Sequence, residues 1–439
     1  MSKHRGVKFY SKIDLSCGIN LKKAEVIIEK FSKDIDYNIN EVIELYNIKL
    51  YFDQEMQLFE WTSQKYKALR LTVQNFMPKW VRDNLDFPTL LNNFIYLFNF
   101  TDLHFRSNWY NRKSQQGILE TMAGIHGKSE YFKGIYFNLM SMLSNTQIIE
   151  YSNILQNNHI EIEIIIKWFF EKYLKEEFRV ENYMFSSPYP HISYVDKCKL
   201  LVIEFERVLK QFKLYVEDKV IDQELLTISS KQVKFEYIPS MIPNKYLYPV
   251  KKECQPLMNL LFSDQSGIYY TEKFQTKHHS FYELIKNESI FKSDFFEYQI
   301  PEIDYLIERK ILVSDNDRLL LNSKKTWLLK DLYDNEVSRT GYILNYLSEF
   351  NEQEQKKMFT FGSTLFSVPE QSYLNYMLNN AEFSNGLAIR NNYLHGTNST
   401  DEKINCQDYY QILKILVLAV IKINEEFCIM NDKNSQDTN

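Results

Sequence analysis

Glycine and proline are scarce in this 439-residue chain, at 11 and 10 residues. All-β folds, collagen-like segments and long flexible linkers need more turn residues than that. Cysteine is equally sparse. Cys17, Cys198, Cys254, Cys406 and Cys428 are scattered, odd in number and form no CxxC pair. This excludes a zinc ribbon and a disulfide framework, and makes a reducing cytoplasm the expected compartment. No apolar run approaches the ~20 residues that a membrane span needs. The longest, 415–421, is followed by Lys422, Glu425 and Glu426. The first residues, MSKHRGVKFYSK, have no apolar core of the signal-peptide kind, so neither a signal peptide nor a membrane segment is expected. Positive charge is not in excess either: 52 Lys and Arg stand against 57 Asp and Glu, a net of −5. A chain coating duplex nucleic acid over its whole surface is thereby excluded, whereas a local site is not. Arginine is the rarer cation, with 11 residues against 41 lysines, so its placement is informative.

What is present is a globular composition, 44% hydrophobic and 25% charged, long enough for two to four domains. No proline falls between Pro88 and Pro188, or between Pro301 and Pro369. Apolar residues recur there at helical spacing, as in Phe132, Ile135, Tyr136, Leu139, Met142 and Leu143, and in Ile162, Ile165, Trp168, Phe169 and Tyr173. The expected fold is therefore mainly α. Residues 1–180 form a helical region. Residues 181–279 form a mixed connector, with a helix over 193–216 and a strand-like run over 233–238. Residues 280–335 read as helix, helix, hairpin and helix. Pro301 opens the second helix, Ser314–Asp315–Asn316–Asp317 makes the turn, and Asn322 or Ser323 caps the last helix. That order resembles a winged helix. Its recognition-helix position carries Glu302, Asp304 and Glu308, the wrong sign for phosphate, so DNA binding is not expected. Residues 336–439 read as an up-and-down helical bundle of helices over 341–350, from Pro369, after an Asn385 cap, and over 408–427.

The stretch that carries chemistry is LAIRNNYLHG, residues 387–396. Arg390 and His395 make the chain's one Arg-x4-His pair, with Asn391 after the arginine and Gly396 after the histidine. The whole string is expected by chance about 0.0004 times in a chain of this composition. On one continuous helix, five residues leave Arg390 and His395 about 140° apart. Gly396 can end the helix at His395 by taking the left-handed cap conformation. A histidine there sits at the negative end of the helix dipole, and an imidazole can both take and give a proton near neutral pH. Arg390 offers a planar, permanently charged fork for phosphate oxygens, and Asn391 an amide beside it. Arginine and histidine suffice for metal-free cleavage of RNA, which brings its own nucleophile, the 2′-hydroxyl.

The string Arg390-Asn391-Asn392-Tyr393-Leu394-His395-Gly396 within a C-terminal helical bundle resembles the HEPN superfamily, over about 336–439. The resemblance implies a metal-independent endoribonuclease without cofactor, whose site forms across a homodimer of the C-terminal domain. Arg390 and His395 would be catalytic, Asn391 would support them, and Asn392 and Tyr393 would contact RNA. It also implies a role in phage defence, as an abortive-infection protein or toxin, with the N-terminal region sensing a phage or nucleic-acid trigger. Relatives paired with a nucleotidyltransferase antitoxin carry Tyr two residues after the histidine. Thr397 stands there in this chain, so that pairing is not expected. The alternative is a non-catalytic regulator that dimerises through the bundle and binds nucleic acid or protein, Arg390 being an ordinary helix cation paired with Glu382 or another acid. Residues 338–439 carry a net charge of −4, so RNA would have to be gripped partly elsewhere.

Three weaker signals complete the reading. Gly124-Ile125-His126-Gly127-Lys128-Ser129 has the tail of a phosphate loop, but Met122 stands where its first glycine belongs. His278-His279 lacks a completing carboxylate or Cys at ligand spacing, so no metal site is expected. Lys3, His4, Arg5, Lys8 and Lys12 make a basic N-terminal segment.

Overall fold

The computed structural model describes residues 81, 83–115, 129–228, 232–275 and 278–437. The phosphate-loop-like tail up to Lys128, the basic N-terminal segment and most of the expected sensor region's first half lie outside these residues. The architecture is mainly helical, 59% helix against 7% strand, as the scarcity of turn residues requires.

Helix α1 (Phe87–Tyr96) is capped by Asp86, which accepts from the Thr89 amide. Helix α2 (Ile135–Gln156) follows, then α3 (Ile162–Trp168), a π turn at Phe169–Tyr173, and α4 (Leu174–Phe178). The π turn keeps Phe169, Phe170 and Tyr173 all buried, as the 162–173 apolar spacing anticipates. Helix α5 (Tyr194–Asp218) starts at Ser193, whose hydroxyl accepts from the Asp196 amide, and α6 (Gln223–Ile228) is short. Strand β1 (Tyr246–Pro249) leads to α7 (Lys251–Phe262), α8 (Phe281–Asn287) and α9 (Ile300–Glu308), which has a proline in its first turn. The hairpin β2 (Leu312–Asp315) and β3 (Arg318–Leu321) turns through Asn316 and Asp317, at φ 49° and 69°. That is a two-residue loop of the left-handed kind, which matches strand twist. Helix α10 (Ser323–Asn335) is capped by Asn322. Strand β4 (Ser338–Arg339), α11 (Thr340–Leu347), α12 (Glu352–Met358), β5 (Phe359–Gly362) and α13 (Val368–Leu378) follow. The chain closes with α14 (Ile389–His395) and α15 (Glu402–Asp437).

The described residues gather into two compact units. One holds those up to 109, those of 129–238 and those from 373 on; the other holds 110–115 and 239–372. These divisions do not follow the boundaries expected at 180, 280 and 336. The physical reason is burial: α14 and α15 pack on α5, and α15 also packs on α2 and α3, so the C-terminal helices share a core with segments far upstream. Tyr194 meets Tyr409 at one end and Tyr215 meets Phe427 at the other, so α5 and α15 run in the same direction. The apolar arc of α15 is covered inside the chain, with Ile412, Leu413, Leu416, Ala419, Val420 and Ile423 all fully buried. A second copy is therefore not needed to cover that arc.

The second unit keeps the expected helix, helix, hairpin, helix order, and Phe291 adds an isolated bridge to Arg318 beside the hairpin. A second sheet escapes the sequence: β1 lies between β4 and β5, antiparallel to both. Its strands are two to four residues long and come from segments about a hundred residues apart, too short for alternation to show. The strand-like 233–238 run is instead a 3₁₀ turn at Phe235–Tyr237, because only Phe235 and Ile238 find core while Glu236 and Tyr237 face solvent. On α2 the expected stripe also shifts. Tyr136 and Met142 are exposed, and Ile148, Tyr151 and Leu155 carry the burial. The Tyr151 hydroxyl donates to the Leu90 carbonyl and accepts from Asn93, tying α2 to α1.

The second unit encloses an ion pair. Lys325 is almost fully buried, donates to Glu354 at 2.8 Å, and lies over the Phe350 ring. Burial raises the Glu354 pKa, but the Lys325 bond and the Asn351 amide outweigh it and hold the carboxyl below its usual range. Its contribution is therefore present above about pH 4.3 and lost as the pH falls through the lowered value. Glu354→Gln should cost about 2 kcal/mol at pH 7, since Lys325 would keep its charge without its counter-ion. Urea unfolding at pH 7 checks this; an unmoved midpoint would contradict it.

Candidate functional site

The motif sits on α14, a helix whose position is set from both ends. Upstream, Gly386 is packed so closely that a Cβ would lie 2.8 Å from the Asn379 carbonyl oxygen and 3.2 Å from those of Tyr376 and Phe383. The Leu387 amide donates to the Tyr376 carbonyl, and Ala388 then takes a left-handed φ of 50°. Asn385 does not cap the helix, as the sequence suggested. Its amide clasps the backbone N–H and carbonyl of Tyr131 instead, and so anchors the loop sideways. Downstream, Gly396 at φ 72° closes the helix directly after His395, as the Gly-after-His spacing predicts. The Thr397 amide donates to the Asn392 carbonyl across that cap.

Within α14, Ile389 and Tyr393, four apart, form the buried face. The regular helix leaves Arg390 and His395 about 140° apart on the outward arc, with Asn391 about 40° from His395. His395 is exposed and its ring has no hydrogen-bond or ion-pair partner among the described residues. Arg390 is less open. Its Nε donates to Glu206 Oε1 on α5 at 2.8 Å, and both side chains are under one-fifth exposed. Its Nη1 donates to Asn391 Oδ1 at 3.2 Å, and Asn391 in turn donates to Asn380 Oδ1 at 3.0 Å. Glu382, the acid suggested as a partner from sequence, accepts from Asn375 instead.

The two residues expected to contact RNA are placed otherwise. Tyr393 is 1% exposed, and its hydroxyl lies 2.7 Å from Asn405 Oδ1 and 3.0 Å from Asp408 Oδ2. Its ring cannot stack on a base, and burial pushes both its own pKa and that of Asp408 up. Spacing held the signal, because Tyr393 follows Ile389 by one helical turn. Asn392 donates to the Leu387 carbonyl and accepts from the Thr397 hydroxyl, so both ends of its amide brace the helix termini. Beneath them the Cys198 thiol donates to the Asn405 carbonyl, and burial pushes it up to about 12, which makes it a packing residue and not a nucleophile.

Two neighbours of the motif had no signal in the sequence. Glu206 stands 184 residues from Arg390 along the chain, and Asn380 lies in the loop before α14. Among the described residues no three His, Cys, Asp or Glu side chains come together so as to hold a metal ion. His278 Nε2 is 3.3 Å from Glu288. Among the described residues no helix is long and apolar enough to cross a membrane. Comparison of the chain with family models, with curated proteins and with solved structures finds no match in any of the three.

Proposed function

We propose that this protein is a metal-independent endoribonuclease of the HEPN type, acting in phage defence from the cytoplasm. His395 would take the proton from a 2′-hydroxyl and return one to the leaving 5′-oxygen. Arg390 would stabilise the charge that builds on the phosphate, and Asn391 would hold Arg390 in register. The observation that carries the reading is the short helix α14. It stops at an exposed His395 on a left-handed Gly396 and leaves Arg390 and Asn391 partly exposed, while Ile389 and Tyr393 bury its other face.

The angle between Arg390 and His395 favours a site completed by a second copy, in which two arginines and two histidines line one cleft. Support comes from the apolar side chains left exposed on the motif helix, in the loop before it and on other helices of the same unit: Leu394, Leu387, Ile203 and Ile404. The winged-helix-like order of the second unit is assigned no DNA-reading role. Helix α9 carries Glu302, Asp304 and Glu308, and Asp304 is already paired with Lys292.

A second reading has one observation in its favour. The Arg390–Glu206 contact is what an ordinary ion pair joining two helices looks like, and a non-catalytic dimerising regulator would need no more. Substrate chemistry separates the two. Purified protein should cut an RNA oligonucleotide and leave its all-2′-deoxy counterpart intact. Cleavage of both would remove the 2′-hydroxyl as nucleophile, and cleavage of neither would leave the regulator.

A further inference from the structure

We propose that Glu206 is a positioning residue that aims the Arg390 fork at the scissile phosphate; this rests on the ribonuclease reading above. The edge of the guanidinium that Glu206 occupies decides between aiming and blocking. Glu206 takes Nε, the inner position, through Oε1 at 2.8 Å. Asn391 takes Nη1 at 3.2 Å, and Nη2 has no partner among the described residues. A guanidinium can take an oxyanion bidentately across its Nε–Nη2 side or across its outer Nη1–Nη2 edge, and a carboxylate that blocked the outer edge would bond both Nη atoms. Here the contact is at the root of the fork, and the outer edge keeps donors to give.

The arrangement around the pair points the same way. Glu206 has no other hydrogen bond among the described residues, so its carboxylate serves Arg390 alone. It is borne on α5, a 25-residue helix whose Leu201, Val202, Phe205, Val208 and Leu209 are buried in the core. Arg390 is borne on a seven-residue helix held by loop contacts. The long helix is the rigid reference and the short one carries the reacting groups. Glu206 on one side and the Asn391–Asn380 link on the other fix the guanidinium plane before substrate arrives, which lowers the cost of orienting it.

Glu206→Gln keeps an oxygen acceptor at the same place and removes the charge; Glu206→Ala removes the acceptor. Single-turnover cleavage of a defined RNA by the full chain, with unfolding midpoints measured alongside, tests the role. Glu206→Ala should lower kcat by about tenfold or more with KM within about threefold, and Glu206→Gln should restore kcat to within about threefold of wild type. Glu206→Ala cleaving like wild type, or either variant cleaving faster, would overturn the proposal, the second because it marks a brake. Glu206→Gln falling as far as Glu206→Ala would also overturn it, since the hydrogen bond would then not be what aims the fork. If wild type itself cuts no RNA, the ribonuclease reading fails before Glu206 is in question.

Discussion

His395→Ala and Arg390→Ala should each slow RNA cleavage by about 10²-fold or more and leave the protein folded. The histidine variant is the cleaner of the two. His395 is exposed at a helix end and its ring holds nothing among the described residues, so its removal breaks no packing. Arg390→Ala leaves Glu206 partly buried without its counter-ion, and a modest loss of stability should accompany the loss of rate. Arg390→Lys refines the comparison. It keeps the charge and loses the planar fork, so it should recover stability more fully than activity. In cells, expression of wild type should arrest growth and His395→Ala should not. Arrest that survives both alanine variants would place any toxicity elsewhere in the chain.

A second large effect concerns stability. Lys414 is fully buried within α15, and among the described residues no carboxylate pairs with it. Its ammonium has Ser144 Oγ at 3.2 Å, Asn145 Oδ1 at 2.9 Å and the Trp109 ring at 4.9 Å. Burial lowers its pKa to about 7. The folded state thus disfavours the charged form, whereas the unfolded chain keeps an ordinary lysine. The penalty is absent above about pH 10.4, grows as the pH falls, and is complete below about pH 7. Lys414→Met fills similar volume without a charge and should stabilise the protein by a few kcal/mol at pH 7 and below. The gain should shrink steadily between pH 7 and pH 10. Urea midpoints of both proteins across that range measure it; a gain that does not vary with pH, or a loss, would show that Lys414 is not held against its charge.

How far the sequence anticipates these features depends on the range over which each is decided. The Asn316-Asp317 hairpin, the Asn322 cap and the Gly396 stop are fixed by the chemistry of a few consecutive residues, and all are found in place. Asn385 shows the limit of that logic. It has the right chemistry for a cap, but Tyr131 offers it a backbone to clasp, and tertiary contact wins over local propensity. Tyr393 was legible as an inward residue from its spacing to Ile389, yet its place inside the motif suggested contact with RNA. Lys414 stands in a run of apolar residues that reads as one buried arc, and only the depth of α15 in the unit shows what its charge costs. Glu206 left no trace at all. Its meeting with Arg390 is made when α14 packs on α5, across 184 residues of chain. The same long-range packing joins C-terminal helices to upstream ones and so moves the unit boundaries away from where proline spacing placed them.

The chemistry of the cut ends tests the central claim most directly. Purified protein incubated with a defined RNA in excess EDTA, and its fragments weighed by mass spectrometry, reports both the nucleophile and the need for metal. If Arg390 and His395 direct attack by the 2′-hydroxyl, cleavage persists in the chelator and the 5′ fragments end in 2′,3′-cyclic phosphate, with 5′-hydroxyl ends on their partners. Cleavage abolished by EDTA, or fragments bearing 3′-hydroxyl and 5′-phosphate ends, would contradict the account.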